Sequence, residues 1–364
     1  MLELCHIATI SRIFMTQLNQ RQQNILDFVG SKEEATNQEI LANLQQKSEL
    51  ISRETLVREL NALVKSDSLL KTGKGRGVTY RMKGAHPLLT PLDAEAYFSQ
   101  DVDVRAPKPV PFNFDVFSKL AGLISESEIA ELFRTNEEYR TRVKKLSPAL
   151  LQKEFERITI ELSWKSSKIE GNTYTLMDTE TLIKEHKEAE GHDKKEAVMI
   201  LNHKRALDYI LANRKKFTTL SIRTVEDVHR LLVEGLEVNH GIRTRAVGIT
   251  GTAYRPLDNE HQIVEAVEKA VVAINAVKDT WNKALLSLLL VAYIQPFEDG
   301  NKRTSRLLAN ACLLAHDVCP LSFRSIDETE YKKAITLFYE LNNASLMKKL
   351  FTEQWRFAVA NYFL

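Results

Sequence analysis

The feature that most constrains the fold is the apolar segment Ala284–Ile294 (ALLSLLLVAYI), the most apolar stretch of this 364-residue chain. It is 11 residues long, whereas a bilayer crossing takes about 20. It therefore predicts a helix that is buried in a protein core. Glycine and proline are scarce, at 13 and 9 residues, and a fold of many short strands would need more turns than they provide. We expect a mainly α-helical protein.

Composition places the chain among ordinary globular proteins. Apolar residues make up 44% of it, enough for a substantial core, and charged residues make up 27%. The net charge of +2 is too small to imply nucleic-acid binding by the whole surface, although local basic patches remain open. No apolar run reaches membrane-spanning length, so we expect no membrane partner.

Cysteine usage and the N-terminal residues indicate the compartment. The three cysteines, Cys5, Cys312 and Cys319, are odd in number and suggest no disulfide framework, which fits a reducing environment. We expect Cys312 to be a small buried apolar residue. Residues 1–16 lack the basic-then-apolar order of a signal peptide and are interpreted as an N-terminal extension. A cytoplasmic protein is expected.

Residues 17–83 are predicted to form a small domain of three helices and a β-hairpin. The first helix covers Gln17–Phe28, the second begins near Thr36 with Glu39 reaching back to cap it, and the third begins at Ser52. Two short strand-like runs flank a glycine-rich turn in Leu69–Arg81, which is typical of a hairpin.

This order of elements resembles a winged helix-turn-helix. Basic residues stand where such a domain meets DNA, at the start of the third helix and on the hairpin. The predicted DNA-binding residues are Arg53, Arg58, Lys71, Lys74 and Arg76. The alternative is a protein-interaction or dimerisation module of the same fold. In the dimerisation case, the chain would be a homodimer.

A proline-rich linker is predicted at residues 84–112, with prolines at 87, 91, 107, 109 and 111. The part Val104–Phe112 cannot be regular helix, so we expect an extended linker that packs across the next domain. Residues 113–364 then form the larger, helical domain. Its predicted helices are Leu150–Lys165, Lys194–Arg214, Thr224–Glu234, Gln262–Val277, Lys283–Ile294 and Asn301–His316. Residues Arg243–Leu257 are the exception and predict a short β-hairpin.

The segment Ile294–Asn310 (IQPFEDGNKRTSRLLAN) carries the chemistry. Gly300 and Asn301 end one apolar helix and open another, whose N-terminus presents unpaired N–H groups and a positive dipole end. Arg303 and Arg306 lie three positions apart near this helix start. A helix start with two arginines binds polyphosphate, and the carboxylate of Asp299 beside it can hold Mg²⁺ that bridges phosphates.

This segment resembles the signature of the Fic (Fido) family, H-P-F-x-D/E-G-N-G-R-x-x-R. The resemblance implies an all-helical Fic core with a β-hairpin flap, and it implies ATP and Mg²⁺ as ligands. Phe297 would anchor the loop and Asp299 would bind Mg²⁺. Gly300 and Asn301 would form an anion hole. Arg303 would contact phosphates, and Arg306 would hold the terminal phosphate of ATP.

The chain departs from the family pattern at two positions. Gln295 stands where the family has the histidine that takes a proton from a target hydroxyl, and a primary amide has no proton-accepting state near neutral pH. Lys302 replaces the usual second glycine of the motif. Its side chain would either add a phosphate contact or narrow the nucleotide site. The Doc-type toxin branch, which resembles a kinase in activity, also carries lysine there.

Two further segments fit the same family. Ser166–Gly171 (SSKIEG) matches its inhibitory motif, S/T-x-x-x-E-G/N, which implies that Glu170 pairs with Arg306 in the place of the γ-phosphate. The resemblance therefore implies Ser166, Glu170 and Gly171 as the inhibitory residues. The segment before the motif helix would be the flap that aligns a target by strand addition, through Val247, Gly248, Ile249 and Thr250. A plain surface hairpin is the alternative for that segment.

Two functions follow from this resemblance. One is a protein adenylyltransferase that moves AMP from MgATP to a Ser, Thr or Tyr hydroxyl of a target protein or of itself, held off by Glu170 and impaired by Gln295. The other is a catalytically lapsed regulator that senses nucleotide and binds DNA through residues 17–83. The candidate replacement bases are His229, His240, His261 and His316, although a structural or solvent-facing role is expected for each. His316 lies about four turns along the motif helix, which should be too far from the site.

Overall fold

The computed structural model describes residues 19–30, 32, 34–46, 51–66, 68–82, 86–90 and 92–364. The predicted extension at residues 1–16, and the side chain of Arg76, lie outside the described part of the chain. Two compact units divide the chain, residues 1–93 and residues 94–364. Each is described by itself.

In its described residues, the N-terminal unit combines three α-helices with a small antiparallel sheet. The helices are α1 (Gln20–Gly30), α2 (Asn37–Gln46) and α3 (Arg53–Lys65). The strands are β1 (Ala35–Thr36), β2 (Leu69–Thr72) and β3 (Thr79–Met82), in the spatial order β1-β3-β2. The hairpin predicted in Leu69–Arg81 is therefore formed, with Lys71 opposite Tyr80 in its register.

Local capping explains where the helices of this unit begin. Thr36 and Glu39 cap α2 reciprocally, because the Thr36 N–H donates to the Glu39 carboxylate and the Glu39 N–H donates to Thr36 Oγ1. Ser52 Oγ accepts the Thr55 N–H at the start of α3. One core joins these six elements, and its buried residues include Ile25, Val29, Ala35, Ile40, Leu44, Leu56, Leu60, Leu63, Leu69 and Tyr80. The assignment of this unit as a winged helix-turn-helix stays a prediction.

The second unit is built almost entirely of helices. Its N-terminal part contains α4 (Ala94–Phe98), α5 (Val102–Arg105), β4 (Val110–Pro111), α6 (Glu126–Lys145), α7 (Pro148–Ile169) and α8 (Leu176–Glu185). Its remaining elements are α9 (Lys194–Ala212), α10 (Ile222–Val233), β5 (Tyr254–Arg255), α11 (Glu260–Ala276), α12 (Thr280–Ile294), α13 (Asn301–Ala315), α14 (Glu328–Leu341) and α15 (Ser345–Asn361). The expectation of a mainly α-helical fold is confirmed.

Helix α12 is the centre of this unit. Every residue of Ala284–Ile294 is buried, as the apolar run predicts. The short loop Gln295–Gly300 joins α12 to α13, and the two helices pack along each other. Helices α7, α9 and α10 pack against α13, while α11 and α14 pack against α12. The loop between α12 and α13 is therefore anchored at both ends in the core.

The predicted β-hairpin in Arg243–Leu257 is wrong. The two-residue strand β5 pairs in parallel with β4, with Val110 opposite Tyr254. A side chain replaces the missing partner strand, since the Glu340 carboxylate accepts hydrogen bonds from the Thr252 hydroxyl and the Ala253 N–H. We keep the name flap for residues 243–257.

The linker is also less extended than predicted. Residues 84–112 contain the short helices α4 and α5 before β4 begins. Prolines do bracket the extended part, because Pro107 and Pro109 precede β4 and Pro111 ends it. The helical residues between them and Pro91 carry no proline, which leaves their backbone N–H groups free for helical turns.

Two other expectations concern burial. Cys312 is 1% exposed and lies in the core, as predicted. In the part of the chain that the structure describes, no helix has both the length and the apolar character that a membrane crossing requires.

Candidate functional site

A cavity of about 680 Å³ in the second unit brings together segments that are distant in sequence. Its walls come from the end of α7, the flap, the loop before α13, helix α14 and the linker. The lining residues are Phe98, Arg105, Ile169, Glu170, Gly171, Val247, Gly248, Ile249, Thr250, Gly251, Gln295, Glu298, Asp299, Gly300, Asn301, Lys302, Arg303, Thr329, Lys332, Lys333, Ile335, Thr336 and Tyr339.

The end of α7 delivers a glutamate into this cavity. Helix α7 begins at Pro148 with Ser147 as its cap and ends where Gly171 takes a φ of 99°. That left-handed backbone conformation suits glycine and stops the helix, because other residues adopt it at a cost. Glu170 is the last residue before the stop, so its side chain leaves the helix end instead of lying along the helix.

Glu170 is held by two cations from the first turns of α13. Its Oε1 lies 2.8 Å from Arg306 Nη2, and its Oε2 lies 2.7 Å from Lys302 Nζ. Arg306 is fully buried, and its Nε donates to Ser166 Oγ at 2.8 Å. The inhibitory motif and the helix start predicted from the sequence therefore meet, and Lys302 takes part in a way the sequence analysis did not anticipate.

The electrostatics of Glu170 show how strong this clamp is. Burial opposes the ionised carboxylate, yet the charges of Arg306 and Lys302 outweigh it and lower the Glu170 pKa to about 2. The carboxylate is ionised at neutral pH. It pairs with Arg306, which does not line the cavity itself.

The start of α13 has the features of an anion site. Gly300 has a φ of 79°, and a Cβ atom there would lie 3.2 Å from Val233. Glycine is therefore favoured here, because a larger residue would be strained and would press on Val233. The first N–H groups of a helix have no intrahelical acceptor. In addition, Nη1 of Arg303 and Nη1 of Arg306 are buried without a hydrogen-bond partner among the described residues.

Asp299 lies at the mouth of the cavity. Its Oδ2 accepts a hydrogen bond of 2.7 Å from Arg303 Nη2, and its side chain is 65% exposed. Glu298 also lines the cavity, but Asn239 donates to both of its oxygens. Among the described residues, no cluster of three or more His, Cys, Asp or Glu side chains is arranged to hold a metal. The accessible carboxylate of Asp299 would suit an ion such as Mg²⁺, which takes most of its ligands from phosphates and water.

Gln295 has its amide occupied by the protein. Its Nε2 donates to the Ala292 carbonyl at 2.6 Å and to the Tyr339 hydroxyl at 3.3 Å. Its Oε1 accepts a hydrogen bond of 3.0 Å from Asn301 Nδ2. The side chain is buried and bonded on both atoms, so it acts as a structural brace of the loop and offers no basic atom.

The rest of the loop is fixed by packing. Phe297 is buried and stacks on His229 with ring centroids 3.6 Å apart, and His229 Nε2 hydrogen-bonds to the Asp299 carbonyl at 3.0 Å. Burial lowers the pKa of His229 to about 4, so the ring is neutral. The Asn301 side chain bonds to both the N–H and the carbonyl of Phe297. What Asn301 offers a ligand is consequently its backbone N–H.

The four predicted flap residues, Val247–Thr250, do line the cavity, although they form no hairpin. His240, His261 and His316 do not line it. In the N-terminal unit, Arg53, Arg58, Lys71 and Lys74 are exposed, as DNA contacts would need to be. Arg53 and Arg58 are five positions apart and so project about 140° from each other around α3.

Sequence reasoning missed several residues of the site. The linker and α14 contribute Arg105, Lys332, Lys333 and Tyr339 to the cavity wall, and no local motif marks them. Arg243 was also missed. It is 2% exposed and binds backbone carbonyls at both ends of the flap.

Comparison with known proteins agrees with this geometry. Residues 219–313 match the Fic/DOC family. The protein adenylyltransferase Fic of Nematostella vectensis is 28% identical over 177 residues, which are 46% of this chain and 40% of the relative. The protein of the same name from Drosophila melanogaster is 26% identical over 175 residues, or 47% of this chain and 36% of the relative. The matches thus span less than half the length of these relatives.

Solved structures share the fold. A Fic domain-containing signaling protein from Bacteroides thetaiotaomicron has a TM-score of 0.54 at 18% identity and covers 64% of this chain and 94% of its own. A fragment of Fic-1 from C. elegans has a TM-score of 0.54 at 16% identity and covers 94% of this chain and 97% of its own. The sequence match places a Fic/DOC domain at residues 219–313, which include the helix start at Gly300–Arg306, and the solved structures show that the fold is shared.

Proposed function

We propose that the chain binds MgATP in the cavity between the end of α7 and the start of α13, and that it resembles a protein adenylyltransferase. In this reading, Glu170 holds the site inactive and Gln295 impairs transfer. The observation that carries the proposal is the double ion pair of Glu170 with Arg306 and Lys302. A carboxylate clamped between two cations at a helix start stands in for a bound phosphate.

The proposed binding uses donors at the start of α13. With Glu170 displaced, the guanidinium groups of Arg303 and Arg306 would each offer a buried Nη1 that now lacks a partner. The N–H groups of the first turn of α13 add to them, and Gly300 lets a phosphate approach the backbone. Asp299 would hold Mg²⁺, which would neutralise charge on the phosphates when bound.

AMP transfer requires a general base, and the motif of this chain does not supply one. The target hydroxyl oxygen bonds to the α-phosphorus, the bond from that phosphorus to the bridging oxygen breaks, and pyrophosphate leaves. The hydroxyl proton has to go to a base. Gln295 cannot accept it, and a general base contributes about 10²–10⁴-fold, so we expect slow transfer.

We assign target positioning to the flap. Residues Val247–Thr250 line the cavity and stand outside helices and strands, so their backbone can bind an extended segment of a target protein or of another copy of this chain. The side of the cavity next to them carries Lys332 and Lys333 from α14.

The second candidate is a lapsed regulator that senses nucleotide and binds DNA. The favouring observation is the saturated amide of Gln295, which braces the loop through Ala292, Tyr339 and Asn301 and so gives the residue a structural use without catalysis. The proposed DNA contacts of the N-terminal unit are four exposed basic residues, Arg53, Arg58, Lys71 and Lys74. Arg76 completes the proposed set. Dimerisation through that unit is the alternative.

Transfer from ATP labelled on the α-phosphate separates the two functions. The variants are the wild type, Glu170→Gly, Gln295→His and the double variant, with self-modification read by mass spectrometry. We expect the double variant to be labelled about 10²–10⁴-fold faster than Glu170→Gly. Glu234→Gly is the matched control, because Glu234 also ends a helix but pairs on the surface with Arg205. An unlabelled double variant that still binds MgATP favours the regulator, and one that binds no MgATP refutes both.

The regulator is tested with a pool of random DNA duplexes and the full-length chain. Selection should enrich a sequence whose binding weakens on substitution of Arg53 and Lys74 by alanine, and MgATP should change the affinity of the Glu170→Gly variant for it. Failure to retain any duplex at 50 mM salt removes the DNA-binding half of this reading.

A further inference from the structure

The flap lies against the cavity with almost no secondary structure of its own. Of residues 243–257, only Tyr254–Arg255 form a strand. The flap is held at two places, and the first is its root at Arg243. The Arg243 guanidinium donates to the carbonyls of Arg245, Leu257 and Gln295. The root is thus tied directly to the motif loop.

The second fixed point is at the tip, around Glu340 of α14. The Glu340 carboxylate, which is fully buried, accepts the Thr252 hydroxyl at 2.7 Å and the Ala253 N–H at 3.1 Å. These two donors belong to the flap. They come directly after Gly251, the last flap residue that lines the cavity.

The same carboxylate binds the linker. Tyr97 donates its hydroxyl to Glu340 Oε2 at 2.8 Å, and Arg105 donates to both oxygens, at 3.1 and 3.3 Å. Arg105 also donates to the Gly251 carbonyl at 2.8 Å, so linker and flap contact each other next to Glu340. Phe98 and Arg105 of this linker line the cavity themselves.

We propose that Glu340 is a positioning residue that clamps the flap tip to the linker segment Ala94–Pro111 and so sets the wall of the cavity that a target protein meets. The parallel pairing of β4 in the linker with β5 in the flap adds a backbone contact between the same two segments. The linker continues directly from residue 93, where the N-terminal unit ends. A displacement of the linker therefore reaches the target-binding wall of the cavity without passing through the nucleotide contacts.

The clamp depends on a negative charge. Five hydrogen bonds converge on the two oxygens of the Glu340 carboxylate. Three of them come from Arg105 and the Ala253 N–H, which can donate hydrogen bonds but cannot accept them. Burial opposes ionisation, but the bonds from Arg105, Thr252 and Tyr97 lower the Glu340 pKa. A glutamine would place an NH₂ group against these donors and leave several of them buried without an acceptor.

Hydrogen–deuterium exchange of the full-length chain tests the clamp. In Glu340→Gln, amides of residues 247–254 and of 97–106 should exchange at least about tenfold faster, while α12 and α13 keep their protection. Glu95→Gln is the matched control, because Glu95 links the same linker to Lys333 of α14 through an exposed ion pair. It should leave flap exchange unchanged. Thr252→Val should loosen the flap, and Tyr97→Phe the linker, with smaller effects.

The inference uses the proposed function only to name the target, so the two can fail separately. MgATP affinity measured on the same Glu340→Gln variant, in a Glu170→Gly background, should change less than about threefold. Faster flap exchange in a chain that binds no MgATP leaves the clamp standing and removes the proposed function. Flap exchange in Glu340→Gln equal to the wild type overturns the clamp, as does loss of protection throughout α12 and α13.

Discussion

Replacing Glu170 by glycine is the perturbation with the largest expected effect on the site. The Glu170 carboxylate lies between Arg306, which is fully buried, and Lys302, which is partly exposed. The Glu170 side chain is 15% exposed. The fall of its pKa from 4.5 to about 2 corresponds to roughly 3 kcal/mol of preference for the ionised form, at 1.36 kcal/mol per pKa unit. Removing one partner of a buried pair leaves its cations unpaired, which costs an amount of the same order.

Two opposite effects should follow in Glu170→Gly. Without ligand, the variant should be less stable by roughly 3 kcal/mol, which lowers Tm by about 5–10 °C. With MgATP present, phosphate no longer has to displace a carboxylate, so the dissociation constant should fall by up to about 100-fold. The ligand-induced rise in Tm should consequently be larger in the variant than in the wild type.

Isothermal titration calorimetry with MgATP and thermal melting at several ATP concentrations measure both effects. Glu234→Gly, which removes a surface carboxylate at the end of α10, should change neither the affinity nor the response to ATP. Equal MgATP affinities in the wild type and Glu170→Gly would refute the view that this carboxylate occupies a phosphate position.

Three further predictions concern the same helix start. Lys302→Gly should tighten MgATP binding several-fold in the wild type, because it removes half of the Glu170 clamp, but should weaken binding in Glu170→Gly, where the lysine is free to contact phosphate; titrations in both backgrounds show whether the sign reverses. Gly300→Ala should cost about 1–3 kcal/mol in urea unfolding, since its φ is 79° and the added methyl would meet Val233 at 3.2 Å; an unchanged midpoint contradicts this. The Glu170 pKa is lowered on folding, so its contribution is complete above about pH 4.5 and is lost as pH falls towards 2; the stability difference between the wild type and Glu170→Gln should vanish over that window, and a difference that is constant to pH 2 speaks against the ion pairs.

The parts predicted well are those that depend on neighbours in the chain. Ala284–Ile294 is buried because it is apolar on every side, and Gly171 and Gly300 mark helix ends through their backbone conformation. The meeting of Glu170 with Arg306 was inferred from two motifs that occur together, and the structure brings these residues into contact. The roles given to them remain proposals.

The parts predicted poorly depend on contacts between distant segments. The flap has the β-branched and glycine residues of a hairpin, but Glu340, about 90 positions away, takes the bonds that a partner strand would have made. Its importance cannot be read from its neighbours in α14. The same holds for Arg243, which binds carbonyls at the far end of the flap and in the motif loop, and for the pairing of Lys302 with Glu170.

A crystal structure of Glu170→Gly with Mg²⁺ and a non-hydrolysable ATP analogue tests the central claim most directly. The account predicts phosphate oxygens within hydrogen-bond distance of Nη1 of Arg303 and Nη1 of Arg306, both of which lack a partner among the described residues, with Mg²⁺ bound by Asp299. Phosphates bound elsewhere, or crystals free of nucleotide at millimolar concentration, would contradict the claim that the start of α13 is a polyphosphate site which Glu170 blocks.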